Sequence, residues 1–277
     1  MRKVTIALVW LVTTLASVAQ AGPSYKLSML PRYSPEEIIA RITPLAQHLS
    51  KVLGTAVEPV VASDFKEYER RLKSGDIHIG YENPYIYALV SNAHEVLAMA
   101  SKGPQGVRFR GIIITRAGSN IVAMEDLRGK TVEIVGYTSA GGYLSQRVSL
   151  LDHGLDTARD MRMVEALDNK QENVIFSVYQ GDADAGFIRE SALNIVDKYI
   201  PPSQIKVIQR TAWLPNWALS VSRSMPKQDR DKIAQALQGY KEDGAVLRAL
   251  KIERFEPADD GSYDVIRKAA GLPPAGS

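Results

Sequence analysis

The chain has 277 residues, with 34 Lys and Arg against 31 Asp and Glu, and it contains no cysteine. The absence of thiols excludes a disulfide framework, a cysteine-ligated zinc site and a thiol nucleophile, so the fold rests on its apolar core. Length sets a prior of one large or two medium domains at roughly 100–200 residues each, and the near balance of charge leaves no basic stripe for nucleic acid.

Arg2 and Lys3, an apolar run from Val4 through Ala16, and Ala19-Gln20-Ala21 follow one another in the order of a cleavable export signal. The run falls short of the ~20 apolar residues that span a bilayer. No cysteine is present to carry a lipid at the cleavage point. Residues 1–21 are therefore set aside as a signal peptide, and the exported protein is expected to carry no lipid anchor.

Lys26 to Leu30 alternates and ends at Pro31, which predicts a first strand running into a loop. Ser34 as N-cap, Pro35 at the first helical position and the acids Glu36 and Glu37 then open a helix. Its apolar positions Ile38, Ile42, Leu45, Leu49 and Leu53 keep a helical period, and Gly54 closes it. Val57 to Val61 reads as a buried strand, Asp64 caps a charged helix, and Ile77 to Gly80 is the next strand. Val96 to Ala100 and Arg108 to Thr115 add two more. The rhythm restarts with a strand from Thr131 to Val135, a helix from Ser139 to Gly154, a strand from Met161 to Val164, a helix from Gln171 to Gln180 and a strand from Ala183 to Ile188. A helix from Ser191 to Tyr199 precedes the strand Ile205 to Ile208, and the tail contributes Ala218 to Val221 and a helix from Lys227 to Tyr240. Two such α/β units in tandem predict two lobes, with ligand-contacting loops at the carboxyl ends of parallel strands.

Three strand ends carry groups suited to an anion. Thr138 and Ser139 stand at a turn before a helix, where free N–H groups and the positive helix end attract an oxyanion, and Gly141 and Gly142 let a ligand approach the backbone. An ordinary cap followed by a tolerant glycine pair fits the same residues, and both readings stay open. Arg189 ends its strand and could clamp an anion bidentately, or serve as a surface ion pair. Asp184 could cap or approach the cleft. In the first lobe Asn83 reads as an N-cap before Pro84, Tyr81 as a cleft residue, and Tyr85 and Tyr87 as packing.

These segments, in their order and spacing, resemble the phosphate/phosphite/phosphonate-binding proteins of ABC importers, with the type II periplasmic binding fold: two α/β lobes joined by a two-strand hinge. The resemblance runs from Leu30-Pro31 through Gly54 to Val57, Ser74 to Ile77, Gly80 to Tyr87, Leu127 to Thr131, Thr138 to Tyr143 and Gly181 to Gly186 to Leu214-Pro215-Asn216. It implies a first lobe over 22–115, a second over 116–212 and a return to the first over 213–277, with hinge strands near Ile112 to Thr115 and Trp213 to Leu219. It further implies a periplasmic, monomeric receptor that closes on a small anionic ligand, delivers it to an inner-membrane ABC permease, and needs no cofactor. By the resemblance, the loop of Thr138, Ser139 and Gly141 holds the oxyanion and Tyr81 closes over it; with the strand-end residues, the expected ligand set is Tyr81, Asn83, Thr138, Ser139, Ala140, Gly141, Gly142, Tyr143, Gln171, Asp184, Arg189 and Asn216. Two departures bear on the ligand. Gln171 stands where phosphonate binders often carry a histidine, and Glu82 adjoins the site, suiting an anion only if it turns away or meets a ligand amine.

Three other functions fit the same chain. A sensory receptor would dock on a membrane kinase instead of a permease. A metal binder would use phenolates from Tyr81, Tyr85, Tyr137 and Tyr143, although His48, His78, His94 and His153 show no ligand spacing. An enzyme of this fold would need an activated nucleophile, and neither a nucleophile elbow nor a serine with a spaced base is present.

Overall fold

The computed structural model describes residues 24–240 and 244–275; the expected signal peptide lies outside the described residues. The chain begins β1 (Tyr25–Met29), α1 (Pro35–Leu53), β2 (Val57–Val60), α2 (Phe65–Lys73), β3 (Ile79–Glu82), α3 (Pro84–Val90) and β4 (His94–Ser101). It continues β5 (Arg108–Phe109), β6 (Gly111–Arg116), β7 (Thr131–Ile134), a π-helical turn (Ala140–Leu144) running into α4 (Ser145–Asp152), α5 (Thr157–Asp160), β8 (Arg162–Glu165), α6 (Gln171–Gln180), β9 (Ala185–Arg189), α7 (Leu193–Val196) and β10 (Ile205–Arg210). The tail is β11 (Leu214–Pro215), β12 (Ala218–Ser222), α8 (Lys227–Gln238), α9 (Ala245–Leu250), β13 (Arg254–Pro257) and α10 (Asp264–Ala270).

Two sheets result, in the orders β13-β4-β12-β3-β1-β2 and β10-β6-β9-β7-β8. In each, three strands run parallel and a fourth is inserted antiparallel beside the third: β12 against β3, and β6 against β9. Each inserted strand follows directly on a passage of the chain between lobes. The two passages pair as a short antiparallel ribbon, Leu214 opposite Phe109 and Pro215 opposite Arg108.

The predicted lobe boundary at 115 shifts. A single strand from Arg108 to Thr115 was expected, with the hinge near Ile112 to Thr115. Instead pairing breaks at Arg110, and Gly111–Arg116 lies within the second sheet between β10 and β9. Ile112, Ile113 and Ile114 are all fully buried, and three consecutive isoleucines belong in a strand covered on both faces, where a connector would leave them in water. The expected helix from Ser139 opens instead as the π-helical turn, with Gly142 outside helical geometry. The helix expected from Ser191 shortens to α7.

Local chemistry sets the other boundaries. Ser34 Oγ accepts from Glu37 N at 3.3 Å, Pro35 starts α1, and Gly54 ends it at φ 67°. The stripe Ile38, Ile42, Leu45 and Leu49 is fully buried, each side chain contributing roughly 1.5–3 kcal/mol. Asp64 Oδ1 caps α2 through Glu67 N at 2.8 Å. One large apolar cluster fills the first lobe beside a small one around Tyr87, Met99 and Tyr263, and two flank the second sheet. A smaller one straddles the lobes: Phe109 and Leu214 of the ribbon, Ala88, Ala140, Leu144 and Ile266 of α10.

Candidate ligand site between the lobes

The carboxyl ends of β1, β3, β7 and β9 all face the cleft, which brings Arg32, Asn83, Ser139 and Arg189 around one space. Asn83 Oδ1 accepts from Tyr85 N at 2.8 Å and Ile86 N at 3.1 Å, capping α3. Its Nδ2 donates across the cleft to the Thr138 carbonyl at 3.1 Å. The two lobes are thus in direct polar contact.

An inner chamber of about 20 Å³ lies between Asn83, Ser139, Gly141, Gln171 and Arg189, room for about one water. Ser139 Oγ accepts from Gly142 N at 3.1 Å and caps the turn. The N–H groups of Ala140 and Gly141, in the first turn, have no intrahelical acceptor. Gln146 fixes this turn to the sheet, its Nε2 donating to the carbonyls of Gly141, Ile112 and Ile188 at 2.9–3.0 Å. A Cβ on Gly141 would meet the Phe109 ring at 2.7 Å, and one on Gly142 would meet Val135 at 2.4 Å. The glycine pair therefore serves close packing of the turn on Phe109 and Val135. Gln171 Oε1 accepts from Arg189 N at 2.7 Å, which leaves its amide NH₂ as a donor.

An outer chamber of about 310 Å³ adjoins the inner one through Arg189 and Arg32. The Arg189 guanidinium lies 4.3 Å from the Phe109 ring centre, its Nη2 is 3.5 Å from Asn216 Oδ1, and its Nε is buried with no partner among the described residues. Burial first, then the charge of Arg32, pushes its pKa down to about 10. Arg32 lies over the rings of Tyr33 and Trp217, at 4.9 and 5.5 Å. Lys102 is exposed at the rim, yet partial desolvation and then Arg189, Arg32 and Arg41, against the pull of Tyr33, hold it below its ordinary value. Burial raises the Tyr33 phenol, but Arg32, Arg41 and Lys102 outweigh it and leave it below the usual phenol value.

Of the sequence-predicted residues, Asn83, Ser139, Ala140, Gly141, Gln171 and Arg189 line the inner chamber, and Tyr81 and Asn216 join Arg189 along the outer one. Thr138 meets Asn83 through its carbonyl. Gly142 donates to Ser139. Tyr143 packs edge-on to Tyr137, with its hydroxyl 3.3 Å from Thr157 Oγ1. Asp184 is exposed just before β9, at the end opposite Arg189, and accepts from Thr131 N at 2.9 Å. Glu82 turns away from both chambers into the first lobe, bonded by Ser220 at 2.5 Å and Tyr68 at 2.9 Å. Tyr81 packs on Trp217 and Phe255, and burial raises its phenol well above the usual value, which opposes a phenolate ligand. The sequence reading missed Arg32, Tyr33, Lys102 and Trp217. Arg32 follows the first predicted strand, so the strand-end rule that selected Arg189 would have selected it too.

Comparison with known proteins accords with this architecture. The sequence matches the family described as "ABC transporter, phosphonate, periplasmic substrate-binding protein" over residues 27–263. It is 23% identical over 224 residues to the phosphate-import protein PhnD of Mycolicibacterium smegmatis, covering 75% of this chain and 68% of that protein. Its fold is similar to a binding protein component of an ABC phosphonate transporter from Pseudomonas aeruginosa (TM-score 0.77, 16% identity, 90% of this chain and 85% of that one). It is equally similar to PhnD1 of Prochlorococcus marinus in complex with methylphosphonate (TM-score 0.77, 12% identity, 90% and 97%). With a family match spanning most of the chain and both lobes built on the same plan, this protein belongs to the phosphonate periplasmic substrate-binding proteins of ABC transporters, a family of ligand receptors and not of enzymes.

Proposed function

We propose that this chain binds a small oxyanion of the phosphonate, phosphite or phosphate type between its lobes and presents it to an inner-membrane permease. The observation that carries the reading is the wall of the cleft: Arg32, Lys102 and Arg189 line it, and no Asp or Glu does among the described residues. Ser139, the first-turn N–H groups, Asn83 and Gln171 add neutral donors around the same space. Relatives named for phosphate import and for a methylphosphonate complex support the same ligand class. An oxyanion needs more room than the inner chamber offers, so binding requires the lobes to part and reclose about the ribbon of β5 and β11. The ligand favours the closed form by bridging donors from both lobes.

Thermal-shift measurements with phosphate, phosphite, methylphosphonate, a short sulfonate and small carboxylates test the ligand class. A bound anion at about a hundred times its Kd stabilises the native state by about 2.7 kcal/mol. The expected outcome is a shift with at least one phosphorus oxyanion that Arg189→Met abolishes. A shift confined to carboxylates overturns the reading. Small-angle scattering checks closure, with compaction expected at saturating ligand and an unchanged radius of gyration counting against the hinge.

A further inference from the structure

The outer chamber is built for more charge than one oxyanion carries. Five cationic side chains line it, those of Arg32, Arg41, Lys102, Arg189 and Lys251, and no carboxylate does among the described residues. Of these, Arg41 is neutralised by Glu37, whose Oε1 accepts from Nε and Nη2 at 3.1 and 2.7 Å. Arg32 meets the faces of Tyr33 and Trp217 with no carboxylate partner among the described residues, and Arg189 keeps a buried Nε without an acceptor. Lys102 stands exposed at the rim, where partial desolvation and then Arg189, Arg32 and Arg41, against the pull of Tyr33, hold it below its ordinary pKa. Like charges confined in one wall raise one another's energy, and an anionic group placed among them offsets that cost. The guanidinium carbons of Arg32 and Arg189 lie 4.3–5.5 Å from the ring centres of Tyr33, Trp217 and Phe109, contacts that favour the cations in this wall before a ligand arrives. The space also divides unequally, about 20 Å³ beside Ser139 and about 310 Å³ beyond Arg189.

We propose that the ligand is a two-headed anion. Its oxyanion head lies between the Ser139 turn and Arg189, and a second acidic group, carboxylate or phosphoryl, lies in the outer chamber among Arg32, Lys102 and Arg189. This rests on the oxyanion reading above and narrows it. An aminoalkyl tail, which would place an ammonium against this wall, is selected against. Glu82, the acid adjoining the site in sequence, is committed to Ser220 and Tyr68 and offers such a tail no partner.

Calorimetric titration of the protein with methylphosphonate, 2-aminoethylphosphonate, phosphonoacetate and methylenediphosphonate, at one pH and one ionic strength, tests this. Phosphonoacetate or methylenediphosphonate is expected to bind at least about tenfold tighter than methylphosphonate, the scale of one added hydrogen bond to a charged group. The better of the two identifies the second group. Lys102→Gln and, separately, Arg32→Gln are expected to remove most of that advantage, weakening the better two-headed probe at least about fivefold more than they weaken methylphosphonate, because Lys102 lines the outer chamber alone and Arg32 reaches it as well as the inner one. Both side chains lie outside the apolar core, and a circular-dichroism melt verifies the fold of each variant. Equal affinity for one- and two-headed probes, or tighter binding of 2-aminoethylphosphonate, overturns the two-headed ligand and leaves the oxyanion receptor standing. No binding of any probe overturns both.

Discussion

Glu82 shows how one side chain's direction decides a ligand argument. In sequence it adjoins Tyr81 and Asn83; in the fold its carboxyl lies buried with Ser220, whose Oγ is also 3.0 Å from His94 Nδ1. Burial pushes Glu82 up from 4.5 to about 7, against the pull of its Ser220 and Tyr68 bonds. Burial also pushes His94 down from 6.5 to about 4. The signs oppose. Between 4.5 and 7 the folded protein keeps a Glu82 proton that the unfolded chain has released, so this group's contribution is complete below 4.5 and lost as pH rises through about 7. Between 6.5 and 4 the unfolded chain binds a His94 proton that the fold refuses, so stability falls as pH drops. The two slopes offset in the parent. Glu82→Gln removes one of them, and the variant's stability is expected to climb with pH relative to the parent, by up to about 1.4 kcal/mol per unit. Urea denaturation across that window measures it, and parallel profiles for variant and parent would mean that Glu82 does not hold its proton.

At the level of elements, Asn83 joins two duties that sequence could name only in part. Its place before Pro84 made it a legible cap, because local spacing alone positions a side chain over the next N–H groups. Its donation to Thr138, 55 residues away, depends on how the lobes meet. Asn83→Ser separates the duties: serine keeps a cap but is too short to span the cleft. The variant is expected to lose under about 1 kcal/mol of stability, while ligand affinity drops and the ligand-free protein scatters as a more open particle. Unchanged scattering and affinity would make the cross-lobe bond incidental. The same division separates other segments. Caps at Ser34 and Asp64 were readable, whereas the break at Arg110 was not, because burial of Ile112 to Ile114 comes from the neighbouring strands β9 and β10.

The whole molecule adds a contact that no element predicts by itself. Ile266 of the last helix is fully buried in the cluster with Phe109, Leu144 and Leu214, so the tail wedges the two lobes at their ribbon. Ile266→Ala is expected to destabilise the protein by about 2–5 kcal/mol. Because the cluster includes residues of both lobes, hydrogen exchange is also expected to rise in the turn at Ala140–Leu144 as well as in α10. A rise confined to α10 would mean that the tail only covers the first lobe.

The sequence by itself determined the alternation of strands and helices, the caps, the two-lobed plan and most residues at the strand ends. These follow from local periodicity and from side chains acting on their own backbone. It could also nominate Arg189 and Ser139, since the carboxyl end of a parallel strand faces a crevice whatever lies opposite. Only the tertiary structure decided what stands across that crevice. It turned Glu82 inward, committed the glycine pair to packing, and brought Arg32, Lys102 and Arg189 into one wall from loops distant in the chain. That assembly depends on which strands neighbour one another and on how closely the lobes meet, and neither leaves a periodic mark on the residues concerned.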